Sequence, residues 1–212
     1  MRAPATVAAL NDLGRVRLSS SFFMRDFLYS EIANLHGMPN IPEDPAAAIE
    51  AGSQLCETLL EPLQATFGRL AIRSAYRSPT VNGFGSAQQQ AGKAGYSCAS
   101  NAMNAGGHIW DRRDARGCRG ATVCLVIPWF ADRHAAGADW RALAWWIHDH
   151  LPYSTLWFFP RLAAFNLGWS DVPHRRIDSY IAPKGCLTRP GMAGHDARHD
   201  ADWAGFPPFR QA

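Results

Sequence analysis

The run Ala121–Phe130, "ATVCLVIPWF", constrains the fold more than any other segment. Its β-branched content and continuous apolar character predict a strand buried on both faces, which needs paired neighbours and a covering layer. Other segments supply them. "GADWRALAWWIHDHLP" places Trp140, Leu143, Ala144, Ile147 and Leu151 on one face of a helix. "STLWFFP" and "LAAFNLGWS" read as two short strands joined by a tight turn at Pro160–Arg161, and "RLAIRSAYRS" reads as an earlier strand in which Leu70, Ile72 and Ser74 alternate with Ala71 and Arg73.

Ahead of that first strand the spacing predicts two helices. One is capped by Ser19–Ser21, carries Phe22, Phe23, Phe27, Leu28 and Ile32 on one stripe, and is stopped by Gly37 and Pro39. The other carries Leu55, Cys56, Leu59, Leu60, Leu63 and Phe67, with a kink expected at Pro62 and an end at Gly68. The stretch from Pro79 to Gly107 is rich in Gly, Ser, Asn and Gln and without periodicity, so it reads as one long loop. The fold class expected is α+β, a small antiparallel sheet with N-terminal helices packed on it. Residues 1–18 read as a flexible lead, 19–182 as a single domain, and 183–212 as an extended tail packed on the surface.

A net charge of +3 with no run of basic residues gives no footprint for nucleic acid. Two Lys against nineteen Arg fit a GC-rich bacterial genome better than a binding face. No apolar stretch is long enough to span a membrane, and the opening "MRAPATVAALNDLGRVRLSS" is too interrupted for a signal peptide, so a cytoplasmic protein is expected. Five cysteines without a Cys-x-x-Cys pair argue against a disulfide framework and against a zinc knuckle. His195-Asp-Ala-Arg-His199 has metalloprotease-helix spacing with Asp in place of Glu, but the glycines around it leave a surface segment as the expectation. Composition leaves the oligomeric state open.

Three segments carry candidate chemistry. "GGHIWDRRDARGC" groups His108, Trp110, Asp111 and Asp114 just before the apolar strand, so that His108 and Asp111 could meet one ion or one proton. The Tyr-Arg-Ser step at 76–78 presents Arg77 to an anionic partner, since a guanidinium suits bidentate carboxylate contact. Asn166 stands between Phe165 and Leu167 in an apolar strand and needs either a pocket or a polar network. Cys124 reads as a small core residue first and as a soft ligand second. "PHRRIDSY" adds His174 and Arg176 in a dense polar run.

The opening helices and "IRSAYRSPTVN" resemble the M15 peptidases of the hedgehog/DD-peptidase fold, zinc enzymes that cut D-Ala peptides, over roughly residues 20–170. The resemblance implies that Tyr76, Arg77, Ser78 and Asn82 border a pocket and that Arg77 meets substrate oxygens. It departs at the metal motifs. The first motif's His and Asp positions fall on Gly117 and Cys124, and the second motif's Glu and His positions on Ala163 and Asn166. The expectation is therefore a remodelled site that binds or acts on a small carboxylate-bearing molecule, an amino acid or short peptide. Catalytic roles fall to His108, Asp111 and Arg77. Substrate contacts fall to Tyr76, Asn82, Trp110, Asn166 and Arg176. Where the site takes a divalent ion, zinc or iron, the ligands are His108, Asp111, His174 and Cys124. A zinc peptidase with displaced ligands and a binding module without chemistry stay open beside it.

Overall fold

The computed structural model describes residues 2–211, and its spine is the strand expected from the apolar run. β1 (Ala71–Ser74), β2 (Gly120–Val126), β3 (Thr155–Phe158), β4 (Phe165–Ser170), β5 (Arg176–Ser179) and β6 (Gly185–Thr188) form one sheet in the order β1-β2-β4-β3-β5-β6. All pairings are antiparallel except β3 with β5. The α+β class holds, with a mostly antiparallel sheet.

Because side chains alternate along a strand, each strand divides between two faces. Ala121, Val123 and Leu125 of β2, with Phe165 and Leu167 of β4 and Leu156 and Phe158 of β3, enter the buried cluster. Helix α3 (Pro45–Leu55) and α4 (Glu61–Phe67) pack into that cluster, as does α8 (Trp140–His150) with Trp140, Leu143, Trp146 and Ile147. Thr122, Cys124, Asn166, Gly168, Thr155 and Trp157 take the opposite face by the same alternation.

The N-terminal segment read as flexible carries helix α1 (Val7–Gly14), capped by Thr6, with Leu13 buried. The first predicted helix is broken into a 3-10 turn (Met24–Phe27) and α2 (Glu31–His36), ended by Gly37 in the left-handed region. At Pro62 the break takes a specific form: a π-helical stretch, Cys56–Leu60, in which Glu61 N–H bonds Cys56 O and the helix re-forms with Pro62 in its first turn. The stretch read as one long loop begins as helix α5 (Pro79–Gln90) and later carries the short α6 (Asn101–Asn104). Ser78 Oγ accepts from Val81 N–H and Pro79 supplies a preset first turn, so capping and tertiary contact override a glycine-rich composition. Strand β2 runs into helix α7 (Pro128–Ala135), with Pro128 at its start.

The C-terminal segment is more tightly held than a surface tail. β6 extends the sheet, Trp203 and Phe206 pack against the core, and Arg210 N–H bonds Thr66 Oγ1. His195 and His199 are not on a helix. His195 is buried and shares a hydrogen bond with Thr188 Oγ1, and its carbonyl accepts from His148 Nε2. His199 stacks on Trp145 at 3.8 Å between ring centroids. Asp149 accepts from His199 N–H, His199 Nδ1 and Trp203 Nε1, each at 2.9 Å.

Asp149→Ala strands those three donors. The expected cost is about 3 kcal/mol, a fall in Tm of about 6–12 °C for a chain of this size. Trypsin should then cut after Lys184 and Arg198 under conditions that leave the wild type intact. Unchanged protection would show that the segment is held by its aromatic contacts alone.

Candidate functional site

Strand β1 ends in a backbone irregularity that shapes the site. Ile72 faces Leu125 and Ser74 faces Cys124, so Arg73 is an extra residue bulged out of the ladder. Beyond it, Tyr76 N–H bonds Phe27 O, and Asn40 donates its amide to Leu28 O and Tyr76 O while accepting Ser78 N–H. The next contact is reciprocal. Arg77 N–H bonds His108 O at 2.8 Å, and His108 Nδ1 donates to Ala75 O at 2.7 Å.

The loop bearing His108 is seated from both directions. Thr122 N–H bonds Gly107 O, and Trp110, fully inside the core, donates Nε1 to Thr122 O at 3.1 Å. Asp114 accepts the N–H groups of Arg116 and Cys118, closing the loop on itself.

These elements enclose a cavity of about 460 Å³. Cys124 and Asn166, direct cross-strand partners on β2 and β4, contribute to its lining. Arg73, Arg77, His108, Cys98, Glu31 and Phe159 add to its walls. Only 5% of His108 is exposed. Burial, with the Arg77 guanidinium adding to it and the bond to Ala75 opposing, pushes its imidazole down to about 3. With Nδ1–H committed, Nε2 carries a lone pair and has no hydrogen bond among the described residues. The Asn166 amide likewise makes no side-chain hydrogen bond among them. Arg77 donates Nη1 to Cys98 Sγ, and its buried Nε has no acceptor. Burial raises the Cys124 thiol, with Arg73 and Arg77 pulling the other way, so it stands as a neutral thiol.

Arg77, His108, Cys124 and Asn166 thus line one cavity. Asp111 is not with them. Its carboxylate accepts Glu43 N–H at 2.8 Å and Asp44 N–H at 3.2 Å, and the Tyr76 hydroxyl at 3.3 Å, which makes it a brace for the entry to α3. Tyr76 and Trp110 are core residues, with ring centroids 6.1 Å apart. Burial, then the Asp111 carboxylate, holds the Tyr76 hydroxyl protonated. Asn82 donates to Ala99 O and Asn101 Oδ1 and accepts from Asn104, tying α5 to α6 rather than facing the cavity. Arg176 forms a paired contact with Asp178 at 2.6 and 2.8 Å and lies outside the cavity wall. His174 borders a second hollow on the far side of His108 and Asn166. No group of three or more His, Cys, Asp or Glu among the described residues stands close enough to hold a metal ion.

Sequence reading missed Arg73, Cys98 and Glu31. A strand alternation cannot show a bulge, and the Cys98 segment reaches the cavity only because α5 folds as a helix. No family model, no curated protein and no solved structure matches the chain.

An imidazole held neutral in the fold has a signature in stability. The unfolded chain takes up a proton near 6.5, while folded His108 does so only near 3. Stability linked to this group is therefore full above 6.5 and is lost as the pH falls below it, by up to about 1.4 kcal/mol per pH unit. In urea melts at pH 7 and pH 5, His108→Gln should lose about 2 kcal/mol less than the wild type on acidification. Parallel losses in the two proteins would contradict a neutral buried His108.

Proposed function

We propose that the domain binds and acts on a small carboxylate-bearing molecule, an amino acid or short peptide, in the cavity lined by Cys124 and Asn166. The observation that carries this reading is the uncompensated charge: among the described residues the guanidinium groups of Arg73 and Arg77 share the cavity wall with a single carboxylate, Glu31, and none of the three forms an ion pair. The buried Arg77 Nε without an acceptor is a donor waiting for an oxygen. A carboxylate received in bidentate fashion would satisfy it and offset the charge.

Bound there, the ligand lies beside the unpaired Asn166 amide and the His108 Nε2 lone pair. Its negative charge would offset Arg77, one of the two causes that depress His108, and so raise the basicity of Nε2 where a proton is to be taken. Asp111 has no part in that step, since its oxygens hold backbone N–H groups elsewhere.

Kinship with the M15 peptidases is supported by one detail: the two positions it equates with the metal-binding Asp and His, Cys124 and Asn166, are cross-strand partners on one cavity wall. A divalent ion needs about three protein ligands. Of the donors expected for one, Asp111 is committed elsewhere and His174 lies in the neighbouring hollow, so zinc or iron does not fit this set and no step is routed through a metal. The position of the family's catalytic Glu is Ala163, a buried methyl. That feature favours, as a second reading, a module that binds the same ligand without chemistry.

Calorimetry with free amino acids and dipeptides, against the same compounds amidated at the carboxylate, tests the reading. Amidation should weaken binding at least about tenfold. Arg77→Ala should cost about 1.5–3 kcal/mol, the usual range for a hydrogen bond to a charged group. Arg73→Ala, at an exposed bulge, should weaken binding without lowering Tm. Equal affinity for acid and amide, or an Arg77→Ala protein that binds normally, would sink it. Turnover of the bound dipeptide by the wild type but not by His108→Gln separates an enzyme from a binding module.

A further inference from the structure

We infer that the carboxylate cavity is one end of a longer cleft, and that its ligand carries a second, neutral arm rich in hydroxyl or amide groups, which lies against Thr122 and Thr155. The inference rests on the carboxylate reading above and extends it. His108 and Asn166 line the cavity and also line a second hollow of about 370 Å³, so these two side chains form the waist between them.

The second hollow differs in charge. Its acid and base, Asp114 and Arg116, are paired to each other at 3.2 Å. Its histidine, His174, is held below the usual imidazole range, by burial first and then by Arg116, so it is neutral near pH 7. The cleft therefore runs from an end with two guanidinium groups against one carboxylate to an end without net charge.

What the neutral end offers is hydrogen bonding. Thr122 and Thr155 flank Gly168 in register, one from β2 and one from β3. A Cβ at Gly168 would stand 2.5 Å from Thr155 Oγ1 and 3.1 Å from Thr122 Oγ1, so the bare backbone leaves both hydroxyls converging over one point. Neither hydroxyl has a hydrogen-bond partner among the described residues, although Thr122 is only 9% exposed. Both threonines line the hollow, so their hydroxyls are free to meet the donors and acceptors of a ligand. Trp157, 37% exposed and next to Asn166 in register, adds a flat apolar wall on the same side. An arm that combines an apolar face with hydroxyl or amide groups fits that lining.

Affinities for three carboxylates test this with the full chain: alanine, which has no arm; N-acetyl-seryl-alanine, with a peptide arm; and a disaccharide ending in a uronic acid, with a sugar arm. At least one armed compound should bind at least about tenfold tighter than alanine, and the stronger of the two identifies the arm as peptide or sugar. Thr155→Val removes a hydroxyl at nearly constant volume and should abolish that advantage while leaving alanine binding unchanged. Gly168→Ala should do the same, and Thr155→Val keeps the test valid where the alanine substitution disturbs the sheet. Alanine binding that matches both armed compounds, or a Thr155→Val protein that keeps the full advantage, overturns the two-armed ligand while leaving the carboxylate cavity standing. Failure of all three to bind the wild type overturns the carboxylate reading and this inference with it.

Discussion

The site depends on one pair of hydrogen bonds: Arg77 N–H to His108 O, and His108 Nδ1–H to Ala75 O. Together they lock the continuation of β1 to the loop ahead of β2, and they do so through two residues that line the cavity. The imidazole cannot rotate without leaving a buried carbonyl unpaired, so its tautomer and the direction of Nε2 are fixed before any ligand arrives. The loop in turn hangs from Trp110, whose ring lies in the core and whose Nε1 holds Thr122 O. Movement of the site residues thus requires movement of the core, which is the condition for a preorganised site.

The same burial that fixes the groups also sets their charge. His108 and Cys124 both remain neutral, His108 because desolvation is reinforced by a cation and Cys124 because desolvation outweighs two. The guanidinium groups at the wall cannot be neutralised in that way, since arginine does not give up its proton. Burial keeps the imidazole and the thiol uncharged and leaves the charge of Arg73 and Arg77 at the wall.

Much of the frame was legible in the sequence, because it rests on periodicity. β2, α8 and the β3–β4 hairpin follow from β-branched runs, a helical apolar stripe and a turn, and the structure places them there. Helix α5 was not legible: its apolar moment is weak, and Gly85 is required because a Cβ would stand 2.7 Å from Cys98 Sγ and from Ile32 Cδ1, a contact between segments distant in sequence. The site divides in the same way. Asn166 could be singled out because an amide in an apolar strand needs a reason, and Arg77 because it ends a strand. Asp111 misled, since a carboxylate three residues from a histidine suggests shared chemistry. Its partners, Glu43 N–H and Asp44 N–H, lie 68 and 67 residues away and have no sequence signal.

The cavity wall shows why these residue types occur together. Across the sheet one register row runs Ser74, Cys124, Asn166, Trp157, all neutral. A carboxylate at 124 would pair with the guanidinium groups beside it and close the cavity's charge internally. An imidazolium at 166 would add a third cation to a confined space, at a cost that grows as the local dielectric falls. A thiol opposite an amide does neither. It leaves two arginines sharing the wall with one exposed glutamate, and leaves the amide and the imidazole lone pair without side-chain partners among the described residues. Of these groups the buried Arg77 Nε is the one whose unmet hydrogen bond costs free energy, and an anion with hydrogen-bonding capacity is the kind of ligand that would satisfy it together with the amide and the imidazole.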